Sequence, residues 1–87
     1  MSFTGSVETG RKIGGMAGKY LKKSVLELGG CDALVFFDPV LKEEDVELAF
    51  KGRARNLGQI CNSPKRIFVR EEVFDLFVAK LVRKIEE

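Results

Sequence analysis

The 87 residues contain no histidine and no tryptophan, one tyrosine, two prolines and two cysteines. Each scarcity removes a class of function. Without histidine, and with Cys31 and Cys61 thirty positions apart (61 − 31), the chain has no zinc or redox spacing, which argues against a metal site. The two thiols read as free groups of a reducing compartment, so a cytoplasmic location is expected. Fifteen Lys and Arg against thirteen Asp and Glu leave a net charge of only +2, too small a surplus to favour nucleic acid or an anionic membrane. The aromatic side chains fall on helix and strand core faces rather than in a base-stacking platform, which also argues against nucleic acid. No apolar run approaches the roughly 20 residues of a membrane span, and the first residues lack the basic-then-apolar layout of a signal peptide.

What is present is an ordinary globular composition, 45% hydrophobic and 32% charged. A chain this short forms at most one small domain and buries only about 60–65% of its unfolded surface. Ser2-Phe3-Thr4-Gly5-Ser6 reads as a strand running into a turn, with Ser6 placed to cap a helix over residues 7 to 22. Ile13, Met16, Ala17, Tyr20 and Leu21 form that helix's apolar stripe, and Gly14, Gly15 and Gly18 weaken it enough to predict close packing on a sheet. A strand through Glu27 follows, then Ala33-Leu34-Val35-Phe36-Phe37, a continuous apolar run of the kind buried on both faces. A second helix begins near Lys42 with Glu43, Glu44 and Asp45 in its first turn and with Val46, Ala49, Phe50 and Arg53 inward. A loop over 57–65 leads to a strand over 66–70 and a last helix over 71–85, whose expected inner face is Phe74, Phe77, Val78, Leu81 and Ile85. The order β-α-β-β-α-loop-β-α predicts an α/β fold with largely parallel strands. So few strands cannot make a closed, doubly covered sheet, and the chain reads as a piece of something larger.

Three stretches carry possible chemistry. Glu27, inside Val25-Leu26-Glu27-Leu28, is either an outward-facing carboxylate on an edge strand or one that needs a partner, a proton or a water-bearing cleft. Gly5-Ser6 at a helix start is either a plain turn or a site where free amides and the helix dipole meet a phosphate. Cys61, in Gly58-Gln59-Ile60-Cys61, is either a small loop hydrophobe or a nucleophile, and an ordinary thiol is only a few per cent thiolate at pH 7.

The three stretches stand in one order: Phe3-Thr4-Gly5-Ser6 with Gly10, then Glu27-Leu28-Gly29-Gly30, then Gly58-Gln59-Ile60-Cys61. In that order, with 34 positions from Glu27 to Cys61 (61 − 27), they resemble the NAD(P)-dependent aldehyde dehydrogenase superfamily. The resemblance runs through essentially the whole chain. Leu26-Glu27-Leu28-Gly29-Gly30-Cys31-Asp32, and Gly52-Arg53 with Asn56-Leu57-Gly58-Gln59, look most like the succinate-semialdehyde dehydrogenase branch. It implies a partial aldehyde-dehydrogenase-like fold, with residues 1–28 the end of the dinucleotide-binding domain and 29–87 the start of the catalytic domain. It assigns Cys61 as the nucleophile and Glu27 as the general base that activates water. Gly5, Ser6, Gly10, Leu28 and Gly29 become the cofactor-binding residues. NAD or NADP is the implied cofactor, and an aldehyde, with succinate semialdehyde as one candidate, the implied substrate.

Members of that family run to several hundred residues, so the chain is expected to be a fragment. It lacks the side-chain oxyanion donor, the groups that grip the cofactor ribose and the oligomerisation arm. Alone, it is expected to be inactive and a poor binder of cofactor. The competing expectation is a small non-catalytic α/β module whose uncovered apolar faces drive self-association or homo-oligomer formation, or capture a partner.

Overall fold

Ser6 starts the first helix. Its Oγ accepts the Thr9 N–H at 3.2 Å and so caps α1 (Val7–Lys19), as the sequence predicts. The computed structural model describes all residues from Met1 to Glu87, which divide into two compact units, Met1–Gly30 and Cys31–Glu87.

In the first unit, β1 (Ser2–Thr4) and β2 (Val25–Glu27) run parallel, with Phe3 opposite Leu26 and Thr4 opposite Glu27. Parallel neighbours require a crossover, and α1 supplies it. The helix lies close on the strand because Gly10 faces Leu28: a Cβ at residue 10 would stand 2.5 Å from Leu28 Cδ2. Gly10 and Ala17 are the buried residues of α1. Substituting Gly10→Ala is therefore expected to destabilise this unit by about 1–3 kcal/mol through overpacking, read as a lower midpoint in chemical denaturation.

The helix ends sooner than residue 22. Leu21 takes a left-handed φ of 50° and is 94% exposed, and Met16 and Tyr20 of the expected apolar stripe are exposed as well. Only the arc through Gly10, Ile13, Gly14 and Ala17 meets protein, because a two-stranded sheet is too narrow to cover more.

In the second unit, β3 (Ala33–Val35) pairs in parallel with β4 (Arg66–Phe68), Leu34 opposite Ile67. Two helices, α2 (Glu43–Ala54) and α3 (Glu71–Glu86), complete it. Val46, Ala49 and Phe77 form the core, with Leu34, Phe36 and Ile67 packed against it and the Phe36 and Phe77 rings 5.8 Å apart. The strands make two separate parallel pairs.

Two expectations are corrected here. The apolar run 33–37 is not buried on both faces: Ala33 and Val35 are exposed and Phe37 is 82% exposed, because helices lie on one side of the pair only. On α3, the inward residues are Val73, Phe77, Lys80, Leu81 and Lys84, whereas Phe74, Val78 and Ile85 are exposed. Burial of Val73 and Phe77 goes with that rotation, and on the same side Lys80 pairs with Glu43 of α2 and Lys84 reaches Glu47 at 2.9 Å. The Lys84 hydrogen bond holds the Glu47 carboxyl below its ordinary value, and the same bond raises Lys84. No helix is long and apolar enough to cross a membrane.

Candidate functional site

The first unit gathers one set of the residues singled out in the sequence. The Gly5 N–H donates to the Glu27 carbonyl at 3.0 Å, so the turn after β1 is tied to the end of β2. Ser6 caps α1, and its Oγ also donates to Thr9 Oγ1 at 3.0 Å. The Gly10 N–H bonds back to the Ser6 carbonyl at 2.9 Å, while the Val7 and Glu8 amides precede the first intrahelical bond and take no partner from the chain. Leu28 packs its side chain over Gly10, and Gly29 follows, exposed, next to Val7. A parallel βαβ unit with two free amides at the helix start is a surface that suits the phosphates of a dinucleotide. The proposed cofactor residues Gly5, Ser6, Gly10, Leu28 and Gly29 thus share one edge of one unit.

Glu27 lies at the end of β2 and is exposed. Of the two readings of Glu27, the strand's alternation gives the outward-facing carboxylate. Leu26 and Leu28 are half-buried toward α1, and Val25 and Glu27 point the other way. In these 87 residues the side chain opens to water with no hydrogen-bonding partner from the chain.

The second unit builds the turn that carries Cys61. After α2 the chain enters a short 3₁₀ segment, Arg55–Gly58, in which Asn56 (φ 48°), Leu57 (φ 56°) and Gly58 (φ 74°) are all left-handed. Glycine takes left-handed backbone freely and asparagine tolerates it, so the strain falls on Leu57, shortly before Gln59-Ile60-Cys61. Leu57 is 83% exposed, so its side chain contributes no burial to offset that strain. Leu57→Gly is expected to raise stability by about 0.5–1 kcal/mol in denaturant titration, the relief of the left-handed penalty less glycine's entropy.

The turn is hydrogen-bonded inside itself. Gln59 N–H donates to the Asn56 carbonyl at 3.0 Å and Ser63 N–H to the Ile60 carbonyl at 3.1 Å. Cys61 is exposed with a free thiol, and none of these bonds takes up its own N–H. An exposed thiol beside an uncommitted amide can attack a carbonyl carbon and hold the oxygen that becomes negative.

Sequence reading missed the polar anchor of this turn. Ser63 is fully buried; its Oγ donates to the Gly52 carbonyl at 3.3 Å and accepts from Arg53 Nη1 at 3.2 Å. The sequence had one usable signal: Ser63-Pro64 follows the turn directly, and Pro64 is buried against Gly52. Cys31, the other thiol, is exposed, and its carbonyl accepts a bond from Arg66 at 3.2 Å. Among His, Cys, Asp and Glu side chains, no group of three stands close enough to hold a metal ion.

Comparison with known proteins gives a consistent result. The family model described as Aldehyde dehydrogenase family matches residues 1–87. Hydroxyisobutyraldehyde dehydrogenase of Mycolicibacterium austroafricanum is 40% identical over 86 residues, covering 99% of this chain and 17% of that protein. An NAD(P)+ succinate semialdehyde dehydrogenase of Escherichia coli is 43% identical over 86 residues, 94% of this chain and 18% of that protein. Among solved structures, an aldehyde dehydrogenase from Bacillus cereus in complex with NAD+ superposes with a TM-score of 0.93 at 32% identity, over 99% of this chain and 18% of that one. The chain therefore spans less than a fifth of the length of the relatives it matches.

Proposed function

The chain belongs to the aldehyde dehydrogenase family, and from that membership we propose that its residues serve the oxidation of an aldehyde to a carboxylic acid with NAD or NADP in the full-length protein. The observation that carries the reading is the Cys61 turn: an exposed thiol on a strained, internally hydrogen-bonded turn, with its own N–H uncommitted. Cys61 Sγ, as thiolate, adds to the aldehyde carbon and forms a thiohemiacetal, and the Cys61 N–H donates to the resulting oxyanion. Bound NAD(P)+ supplies the two-electron acceptor for the hydride lost from that carbon, which leaves an acyl thioester on Cys61. Glu27 takes a proton from water, the hydroxide displaces the thiolate, and the carboxylic acid departs with Cys61 restored.

In this reading the β1–α1 turn holds the cofactor. Gly5 and Ser6 would hold its pyrophosphate, where the Val7 and Glu8 amides and the α1 dipole would stabilise the anion. Gly10 lets α1 close on Leu28, and Leu28 with Gly29 would hold the nicotinamide end. Residues 1–28 would then close the dinucleotide-binding domain and 29–87 open the catalytic one, in a cytoplasmic enzyme. Succinate semialdehyde is the proposed substrate; among the similar proteins, two succinate semialdehyde dehydrogenases are 41% and 43% identical to the chain. By themselves the 87 residues are proposed to be inactive.

A second reading follows from the uncovered apolar residues of α3. Phe74, Val78, Val82 and Ile85 lie exposed along one side of that helix, so the isolated chain would self-associate as a non-catalytic module. Aldehyde-dependent NAD(P)H formation by the full-length protein, offered succinate semialdehyde and simpler aldehydes, tests the first reading. Concentration-dependent sedimentation of the 87 residues tests the second.

A further inference from the structure

The Cys61 turn is bracketed at its two ends by a single nitrogen. Arg53 Nη1 donates to the Gly58 carbonyl at 3.4 Å and to Ser63 Oγ at 3.2 Å. Cys61 lies between those two residues. The Ser63 end is in turn fixed to α2, because Ser63 is fully buried and its Oγ donates to the Gly52 carbonyl at 3.3 Å. At the Gly58 end the left-handed φ of 74° suits glycine, and the Arg53 guanidinium lies against its Cα. Two hydrogen bonds thus meet on Arg53, one to the Gly58 carbonyl and one to a fully buried hydroxyl that has no second side-chain partner.

We propose that Arg53 is a positioning residue for the nucleophile turn: by tying the Gly58 carbonyl to the Ser63 hydroxyl across the base of the turn, it holds the Cys61 thiol and the Cys61 N–H in one fixed relation. The proposal rests on the reading of Cys61 as the nucleophile. That reading needs both groups on the same carbonyl, the sulfur on carbon and the amide on oxygen. Small misplacements are expensive in such geometry: about 1 Å can reduce a rate some 10²-fold. The internal bonds of the turn, Gln59 to Asn56 and Ser63 to Ile60, set its local curvature, and neither spans Gly58 to Ser63. Arg53 joins the ends. A guanidinium suits this because its fixed planar fork can serve two acceptors at once and never loses its charge.

The test uses the full-length protein as wild type, Arg53→Met and Arg53→Lys. Arg53→Met keeps the length of the side chain and removes every donor; Arg53→Lys restores a donor at one point. Two readouts are taken: steady-state oxidation of an aldehyde, and amide hydrogen exchange resolved by peptide. With Arg53→Met, kcat is expected to fall about 10- to 100-fold with KM for NAD(P) within twofold of wild type. Exchange is expected to accelerate in 57–63 while peptides from 43–52 and 71–86 stay unchanged, and Arg53→Lys to recover part of kcat. Unchanged kcat in Arg53→Met, or unchanged exchange in 57–63, would overturn the positioning role. So would faster exchange spread through both helices, which marks a general loss of stability. A wild-type protein that oxidises no aldehyde would instead overturn the functional reading beneath it.

Discussion

Cys61→Ala is expected to lower aldehyde-dependent NAD(P)H formation by the full-length protein to background, a loss of about 10⁴-fold or more, while Cys31→Ala stays within about twofold of wild type. The contrast isolates chemistry from folding. Both thiols are exposed and both lie in the unit Cys31–Glu87, so neither substitution leaves a cavity or an unpaired buried group. Removing an exposed Sγ changes stability by a few tenths of a kcal/mol at most, in line with surface substitutions generally. The Cys61→Ala variant should therefore unfold at the wild-type midpoint and still bind cofactor, with only bond formation to the aldehyde lost. Activity retained in Cys61→Ala would remove Cys61 from the mechanism. Equal loss in both variants would place the effect in folding.

Family and fold were legible because the elements that carry them are local. Ser6 announces the start of α1 by its cap, and Gly14, Gly15 and Gly18 announce that the helix packs on a sheet; of these only Gly14 meets the strand, at Leu26, and the closest approach falls instead at Gly10. The order of strands and helices follows in the same way. The structure, superposing at TM-scores near 0.9 on aldehyde dehydrogenases, bears out a partial α/β fold of that type.

What was not legible depends on which face of an element meets which neighbour. Apolar residues at 73, 74, 76, 77, 78, 81, 82 and 85 wrap most of α3, so periodicity cannot choose the inner arc. The arc that turns inward carries the buried Val73 and Phe77, and Lys80 and Lys84 on it meet Glu43 and Glu47, 37 residues earlier in each case (80 − 43 and 84 − 47). Glu27 was ambiguous for a related reason: Val25-Leu26-Glu27-Leu28 reads as an apolar run until α1 is placed, and then only the even positions face it. Arg53 read as an inward residue of the second helix, yet it is exposed and its guanidinium turns to Gly58 and Ser63, contacts that periodicity does not show, and the burial of Ser63 has no periodic signal either. A buried hydroxyl is set by the carbonyl and guanidinium around it, and those come from residues ten and eleven positions earlier.

Glu27→Gln is expected to reduce steady-state turnover about 10²- to 10⁴-fold, the ordinary contribution of general base catalysis, yet to preserve the first turnover. Addition of Cys61 to the aldehyde and loss of hydride need no base to activate water; hydrolysis of the thioester does. Mixing the variant with aldehyde and NAD(P) should therefore give a rapid burst of about one NAD(P)H per active site followed by a slow phase. Intact-mass measurement at the end of the burst should find one acyl group on the protein, at Cys61. Glutamine keeps the side chain's size and its position at the end of β2 on the solvent-facing side of the strand, so the cofactor turn held by the Gly5 to Glu27 backbone bond is left in place. A strong amine or thiol nucleophile added to the stalled variant should release the acyl group and restore part of the turnover, because it bypasses the need to deprotonate water. Full loss of the burst would show that Glu27 acts before the thioester forms, and unchanged turnover would remove it from the reaction. A wild-type rate with a normal burst would leave the hydrolytic base to a residue beyond these 87, and the exposed Glu27 would then be an ordinary solvated strand residue.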